Sequence, residues 1–150
     1  MLRALLLGGA LLLGTVAVAF ALFSADARDE KDVFSLAVGD CVNGLEAGGA
    51  TEEYASTPVV PCSEPHEAEV ITSFELDMAA YPGEAEVIAE CERRCVDLIV
   101  AALPDEADAG AIMPFYFYPT RESWEQADDR TVHCLAMPSD GTATGSLLDR

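Results

Sequence analysis

The chain begins with a long hydrophobic segment, residues 4–23, that carries no charged side chain. As a helix, a run of about 20 residues is about 30 Å long, which matches the hydrocarbon thickness of a bilayer. A cleaved signal peptide usually has a hydrophobic core of only about 7–15 residues, so the length favours an uncleaved signal anchor. Cleavage after Ala27, which ends a small-residue pattern, is the alternative. The predicted organisation is a signal anchor or signal peptide (1–27), a tether (28–32) and one exported domain (33–150).

Polar and apolar residues alternate in short stretches after this segment, which is the pattern of half-buried strands. In the clearest stretch, Val70 and Phe74 fall on one face, and Glu69 falls on the other, which is predicted to face water. The stretch that begins at Thr57 is bounded by prolines and is predicted to lie at a sheet edge. The predicted strands are residues 33–38, 57–62, 67–76, 112–119 and 131–137.

One segment changes to a helical period. Between residues 80 and 103 the apolar side chains recur every three or four positions, which predicts an amphipathic helix that ends before Pro104. A short helical turn with Trp124 is predicted after Thr120, with an incomplete capping box because Ser123 stands where an acid is usual. Strands and one long helix without regular alternation predict an α+β fold, in which the helix packs across a small antiparallel sheet.

Charge narrows the set of partners. The sequence has 8 basic and 27 acidic residues, a formal net charge of −19. Nucleic acid and anionic lipid head groups would repel such a surface, so neither is expected to bind. Scattered acids are usually a solvated surface, with weak calcium binding or a basic partner as the functional alternatives.

Five cysteines behind an export segment predict disulfides in an oxidising compartment, and hence a domain outside the cytoplasm. Cys91 and Cys95 are four residues apart on one helix, with Cβ atoms about 5–6 Å apart, whereas a disulfide needs about 3.8 Å. Cys41 and Cys62 lie at the ends of two predicted strands, and Cys134 lies on a late strand within reach of a helix packed across the sheet. The favoured pairs are Cys41–Cys62 and Cys95–Cys134, which leaves Cys91 as a free thiol. Pairing of Cys91 with Cys134 is the open alternative.

The ordered blocks "VFSLAVGDCV", "VVPCSEPHEAEV", "YPG", "YPTRESWEQADDRTVHC" and "GSL" resemble the septum formation family of bacterial membrane-associated proteins. The resemblance spans roughly residues 33–147. Ala127 and Asp128 stand where that family usually has a Gly, so the turn before Arg130 is expected to differ. The positions that match the family are Cys41, Cys62, Cys95, Cys134, His66 and Trp124, and Cys91 is an addition.

The resemblance implies an exported, often membrane-anchored envelope protein with a name linked to the division septum, and it brings no catalytic residue. We therefore expect a non-enzymatic protein, single-pass in the cell membrane through residues 4–23 or secreted after cleavage. Its expected partners are envelope or division proteins, without a cofactor. The alternative function is an extracytoplasmic sensor domain that binds a small ligand or a cation.

Two groups of residues raise the question of metal or redox chemistry. A zinc set would have to be drawn from Cys62, His66, Cys91, Cys95, His133 and Cys134, but no paired zinc knuckle is present. Because the compartment is predicted to be oxidising, disulfides are favoured and no metal is expected. Cys91 is either a redox-active thiol or a small buried hydrophobe, and its place on the apolar face of the helix favours the second.

His66 is the other candidate for chemistry. Glu67 and Glu69 stand close enough in sequence to orient its ring for acid–base work, but acids are abundant throughout this chain. "HEAE" lacks the second His of the helical zinc motif, and no "GxSxG" nucleophile elbow occurs. We therefore predict no catalytic residue and assign His66 to a turn between Pro65 and the following strand.

Aromatic residues supply the predicted interaction surface. On the strand 112–119, alternation places Phe115 and Phe117 on one face and Tyr116 and Tyr118 on the other. One pair is expected in the core, and exposed aromatic side chains often mark interfaces. The candidate interaction residues are His66, Trp124, Tyr116 and Tyr118.

Overall fold

The computed structural model describes residues 29–45, 54–104 and 109–148. The predicted signal anchor or signal peptide, residues 1–27, lies outside the described residues. Within the described ranges, no helix is both long and apolar enough to cross a membrane.

Six strands form one antiparallel sheet in the order β1-β3-β2-β4-β6-β5, and one long helix packs on it. This confirms the α+β class predicted from the sequence. The strands are β1 (Asp29–Asp32), β2 (Cys41–Val42), β3 (Ser56–Val60), β4 (Ala68–Glu75), β5 (Ile112–Phe117) and β6 (Thr131–Pro138), and the helices are α1 (Glu84–Ala102) and α2 (Arg121–Gln126).

The sheet separates two hydrophobic clusters. On the α1 side, the helix buries a stripe that repeats every four residues, within the helical period that the sequence predicted: Val87, Cys91, Cys95 and Ile99. These side chains pack with Val132 and Ala136 of β6. On the opposite side, Leu135 of β6 packs with Val42 and with Val33, near the amino-terminal end of the domain. Both faces of β6 are therefore buried, so this strand contributes side chains to both clusters.

The structure corrects the first predicted strand. Val33–Ser35 is a 3-10 turn in which the Phe34 amide donates to the Asp32 carboxylate, and the preceding residues Asp29–Asp32 form β1 instead. These four residues were assigned to the tether because they are all charged and carry no apolar alternation. Their pairing with β3 depends on backbone hydrogen bonds, supported by an ion pair of 2.7 Å between Lys31 and Asp40. Because β1 covers β3, the prediction that β3 is an edge strand is also wrong.

A β-bulge in β4 overturns the predicted position of Glu69. The register against β6 shifts between Val70 and Thr72, so the alternation of faces changes within the strand. Glu69 and Ile71 before the bulge, and Phe74 after it, all lie on the α1 side. Glu69 is 0 % exposed and does not face water.

The capping box of α2 is complete, contrary to the prediction. The Thr120 side chain accepts from the Ser123 amide, and the Ser123 hydroxyl accepts from the Thr120 amide at 3.0 Å. A serine can replace the usual acid here because its hydroxyl oxygen accepts a hydrogen bond and lies close enough to the Thr120 amide. After α2, Asp128 adopts a φ of 54°, a left-handed conformation that glycine adopts most easily.

Candidate functional site

The stretch around Cys62 and His66 is joined to β2 by a disulfide. Cys41 of β2 is bonded to Cys62, with the two Cα atoms 5.3 Å apart, as the sequence analysis favoured. Cys41 is fully buried, whereas Cys62 is partly exposed. His66 follows in a short bridge, in which its amide and carbonyl both bond to Ala143 at 3.0 and 2.8 Å. The predicted turn before β4 is therefore anchored at both Cys62 and His66.

The His66 side chain is 0 % exposed, so it cannot serve as the surface interaction residue that the sequence analysis considered. Its Nδ1 lies 2.9 Å from the Glu64 carbonyl oxygen, and its Nε2 has no hydrogen-bond partner. Ligand atoms of Cys41, His66 and Glu69 all lie within 4.8 Å of one another. Glu67 is directed elsewhere, because its carboxylate accepts from the Leu45 amide at 2.7 Å.

Glu69 is held by residues near the carboxyl terminus. The Ser146 hydroxyl donates to its carboxylate at 2.7 Å, and the Leu147 amide donates to the other carboxylate oxygen. The Gly145 amide bonds to the Cys62 carbonyl at 2.6 Å. Residues 139–148, here called the carboxyl-terminal strap, thus close over the Cys41–His66–Glu69 cluster. The sequence analysis did not predict this strap, because its turn-rich residues show no helical or strand periodicity. The block "GSL", quoted for the family resemblance, was the only feature noted within it.

The remaining cysteines lie on the helix face of the sheet. Cys95 of α1 is bonded to Cys134 of β6, which is the second favoured pair. Cys91 is a free and fully buried thiol. Burial, followed by the nearby Glu90 charge, raises the pKa of the Cys91 thiol to about 12. Its thiolate is therefore scarce near neutral pH, as expected for an inert buried cysteine.

His133 on β6 is a second buried histidine without a partner at either ring nitrogen. Burial lowers its pKa below the usual 6.5, although Asp129 and Asp40 act in the opposite direction. The folded protein therefore holds this ring neutral at a pH where the unfolded chain would bind a proton.

The pKa of His133 predicts a loss of stability in mild acid. Below about pH 6.5 the unfolded chain gains a proton that the folded state does not, so the free energy of unfolding falls until the folded-state pKa is reached. We expect His133→Leu to remove this component. Urea unfolding at several pH values should show a smaller decrease between pH 7 and 5 for the variant. Above pH 7 the two pH slopes should coincide, and identical slopes throughout would contradict the assignment.

Strand β5 places its aromatic side chains as predicted. Tyr116 and Tyr118 pack on the α1 side of the sheet, and Phe115 and Phe117 on the opposite side. Trp124 does not join them at the surface, because it is only 3 % exposed and packs in the α1-side cluster. The sequence could not show this burial, because a helix as short as α2 has too few residues for a pattern of buried and exposed positions.

A groove of about 380 Å³ follows the carboxyl-terminal half of β5. It is lined by side chains from both faces of this strand, together with Phe34, Tyr54, Tyr81, Glu84 and Arg121. The groove therefore wraps around an edge of the sheet. It is here called the β5 groove.

The backbone of β5 is open on the side away from β6, because β5 ends the strand order in the described part of the chain. The Ser139 amide bonds to the Ala111 carbonyl directly opposite, at 2.8 Å. Hydrogen-bonded and non-hydrogen-bonded residue pairs alternate along an antiparallel ladder. Because Ala111 is in a hydrogen-bonded pair, Ile112, Pro114 and Tyr116 are in non-hydrogen-bonded pairs, and their backbone groups point away from β6. The proline fits this register because its missing N–H would have pointed away from β6.

One end of the groove carries polar groups. The Tyr118 hydroxyl donates to Glu84 at 3.3 Å, and burial together with the Glu84 charge raises the pKa of Tyr118 to about 12. This hydroxyl remains a donor over the physiological range. The Arg121 guanidinium lies 4.7 Å from the centre of the Tyr81 ring. The groove thus combines an aromatic wall with one acidic side chain, Glu84, and one basic side chain, Arg121.

The fold and these sites define a small α+β domain cross-linked by two disulfides, with a buried polar cluster at one site and an aromatic groove along β5. A family model described as septum formation matches residues 19–134. Because the match covers more than half of the 150 residues, the chain belongs to the septum formation family, which confirms the resemblance seen in its motifs. No curated protein and no solved structure matches the chain.

Proposed function

We propose that this protein is a non-enzymatic, membrane-anchored protein of the cell envelope that acts in cell division by binding a partner protein. Membership of the septum formation family supports the division-related role. The observation that carries the binding role is the β5 groove, where an aromatic wall borders a strand with outward backbone groups. The uncharged run of residues 4–23 supports a membrane anchor, and the disulfides support a domain outside the cytoplasm.

The proposed occupant of the groove is an extended segment of the partner that adds a strand to β5. In strand addition, main-chain hydrogen bonds supply affinity and side-chain pockets supply specificity. Tyr116 offers an outward amide and carbonyl, while Phe117 and Tyr118 provide aromatic contacts on opposite faces. The net charge of −19 favours a partner segment with basic residues, because opposite charge steers encounter.

Site-specific photo-crosslinking in the cells that make the protein tests the binding role. A photoreactive residue is placed at Met113 on β5, with Val100 on α1 as the matched control, since the two side chains are 48 % and 54 % exposed. We expect a discrete protein adduct from position 113 and none from position 100. Tyr118→Ala should reduce the adduct by about tenfold, because losing an aromatic contact at an interface costs about 1–2 kcal/mol.

Cell division provides the second readout. Deleting the gene should lengthen cells, and the wild-type protein or Val100→Ala should restore their length, whereas Tyr118→Ala at equal protein level should not. Normal length in the deletion strain would contradict the division role. Full restoration by Tyr118→Ala, together with equal adducts from both positions, would contradict the groove as the contact site.

A ligand-binding sensor is the second candidate, favoured by the groove volume, which lies within the range of about 300–1,000 Å³ for small-molecule sites. Thermal melting of the full chain in detergent micelles, with millimolar calcium or soluble cell-wall fragments, distinguishes the two candidates. A rise in Tm that Tyr118→Ala abolishes would replace the partner-protein proposal with the sensor. An unchanged Tm would remove the sensor.

A further inference from the structure

The cluster of Cys41, His66 and Glu69 includes a buried ring nitrogen that has no hydrogen-bond partner. Among side-chain atoms in the described ranges, Nε2 of His66 is one of three that are buried without a hydrogen-bond partner, and the other two belong to His133. The same ranges contain one group of three potential metal ligands with atoms within 4.8 Å of one another, and His66 belongs to it. His66 therefore brings a buried, unpartnered ring nitrogen into a group that also contains a disulfide sulfur and a carboxylate.

The hydrogen bond of His66 fixes which nitrogen is available. Its Nδ1 lies 2.9 Å from the Glu64 carbonyl oxygen, which can only accept, so Nδ1 carries the proton of the neutral ring. Nε2 is then the nitrogen with the free lone pair. Metal-binding histidines are typically oriented in this way, by an Nδ1–H bond to a backbone carbonyl.

Glu69 is also arranged as a ligand would be. It is 0 % exposed, and the described ion pairs supply no cationic partner for it. Its contacts with the Ser146 hydroxyl and the Leu147 amide fix the orientation of the carboxylate. A buried carboxylate without a cation is costly, and hydrogen-bonded carboxylates of this kind are common in metal sites.

The disulfide keeps both cysteine sulfurs out of the thiolate form that binds metal. Cys41 and Cys62 are joined through their sulfur atoms, and a disulfide sulfur is not a thiolate ligand. Reduction would place two thiols, which a metal can deprotonate, beside the imidazole and the carboxylate. Two sulfurs, one nitrogen and one oxygen are a donor set that suits tetrahedral Zn²⁺.

We propose that reduction of the Cys41–Cys62 disulfide converts this cluster into a Zn²⁺ site with Cys41, Cys62, His66 Nε2 and Glu69 as ligands. A dithiol supplies two electrons and two protons, so the S–S bond breaks, both cysteines become thiols, and the dithiol becomes a disulfide. Binding of Zn²⁺ then releases the two thiol protons to solvent. The proposal is independent of the β5 groove and of the partner-protein function.

Selective reduction of this disulfide is favoured by exposure. Cys62 is partly exposed, whereas both Cys95 and Cys134 are 0 % exposed, so a small dithiol reaches the Cys41–Cys62 bond first. Attack on the exposed sulfur of Cys62 leaves Cys41, the more buried ligand, as the departing thiolate. The second disulfide can remain intact and hold α1 on the sheet.

The test uses the full chain in detergent micelles, reduced with a limited amount of dithiol and mapped by thiol alkylation and mass spectrometry. Zn²⁺ alone is then added in competition with a chromogenic zinc indicator, and Co²⁺ is added in a parallel sample as a spectroscopic probe. We expect one Zn²⁺ per reduced chain and none per oxidised chain. The Co²⁺ sample should show a thiolate-to-metal charge-transfer band and the visible spectrum of tetrahedral cobalt.

Variants assign the ligands. His66→Gln and Glu69→Gln should each weaken Zn²⁺ binding by more than about 100-fold. This loss is larger than the roughly 10- to 100-fold loss of affinity that follows when a residue supporting the ligands is altered. His133→Gln is the matched control, because it alters the other buried and unpartnered histidine, and it should change the affinity by less than about threefold.

Three results would overturn the proposal: no Zn²⁺ bound to the reduced wild type, a cobalt spectrum without a thiolate band, or equal losses in His66→Gln and His133→Gln. The first two need no variant, so they decide the matter even if a substitution prevents folding.

Discussion

Replacing Cys95 and Cys134 together with Ala is expected to lower the free energy of unfolding by about 4 kcal/mol. The bond closes a loop with a sequence separation of 39, and the chain-entropy estimate for a loop of that length is about 4 kcal/mol. Both sulfurs are fully buried between α1 and β6, so their packing adds to the loss. Urea unfolding of the full chain in micelles, without reductant, measures the effect.

Cys91→Ala is the matched control for this experiment. It removes a buried sulfur from the same helical face without breaking a cross-link, and we expect a loss of only about 1 kcal/mol. Reductant is omitted from this comparison, because a small dithiol would reach the Cys41–Cys62 bond first. A double variant no less stable than Cys91→Ala would show that the bond contributes nothing beyond the volume of its sulfurs.

Trp124→Ala is expected to cost about 3–5 kcal/mol, the range for deleting a large aromatic side chain from a core. Trp124 is the single tryptophan of the chain and is 3 % exposed. The Arg130 guanidinium lies 3.8 Å from its ring centre, and Tyr81 meets the ring edge-on at 5.6 Å between centroids. Far-UV circular dichroism follows the unfolding, since the variant has no tryptophan fluorescence.

Two further variants separate packing from a general sensitivity to mutation. Trp124→Phe keeps most of the aromatic volume and should lose clearly less stability than Trp124→Ala. Val96→Ala alters an α1 side chain that is 45 % exposed and should change stability by less than about 0.5 kcal/mol. If Trp124→Ala were as stable as the wild type, the side chain would not contribute to the core. The sequence-based prediction that Trp124 is an interaction residue would then be favoured.

The parts of the fold that the sequence predicted are those with a local period or a geometric limit. The buried stripe of Val87, Cys91, Cys95 and Ile99 repeats every four residues, within the helical period of the sequence. Helix geometry also excluded a bond between Cys91 and Cys95, and the structure contains the two pairs that the predicted positions of the strands and the helix favoured.

The parts that sequence reasoning missed depend on contacts between distant residues. The bulge in β4 changes the face of its side chains, and nothing in the local alternation marks it. Glu69 was therefore expected in water, whereas it is buried against Ser146 and Leu147. Strand β1 was missed for a related reason, since four charged residues become a strand only because β3 offers an open edge.

The residues considered for zinc binding show the same difference between local patterns, which the sequence reveals, and contacts between distant residues, which it does not. Cys62 and His66 are close together in the sequence, whereas Cys41 lies far from both. Cys41 was therefore not among the residues considered for metal binding. The antiparallel pairing of β2 with β4 brings Cys41 opposite Glu69. The disulfide and the short bridge at His66 complete the cluster. A metal set assembled across strands leaves no regular spacing in the sequence.

The carboxyl-terminal strap makes the order of synthesis matter for folding. Glu69 bonds to residues that follow it by 77 and 78 positions. Chains emerge from the ribosome at about 5–20 residues per second, so the carboxylate waits several seconds before these partners exist. Contacts of such long range are also formed late because closing a long loop is entropically costly. We therefore expect Glu69 to stay hydrated until Ser146 and Leu147 are available, and closure of the strap to be a late step in folding.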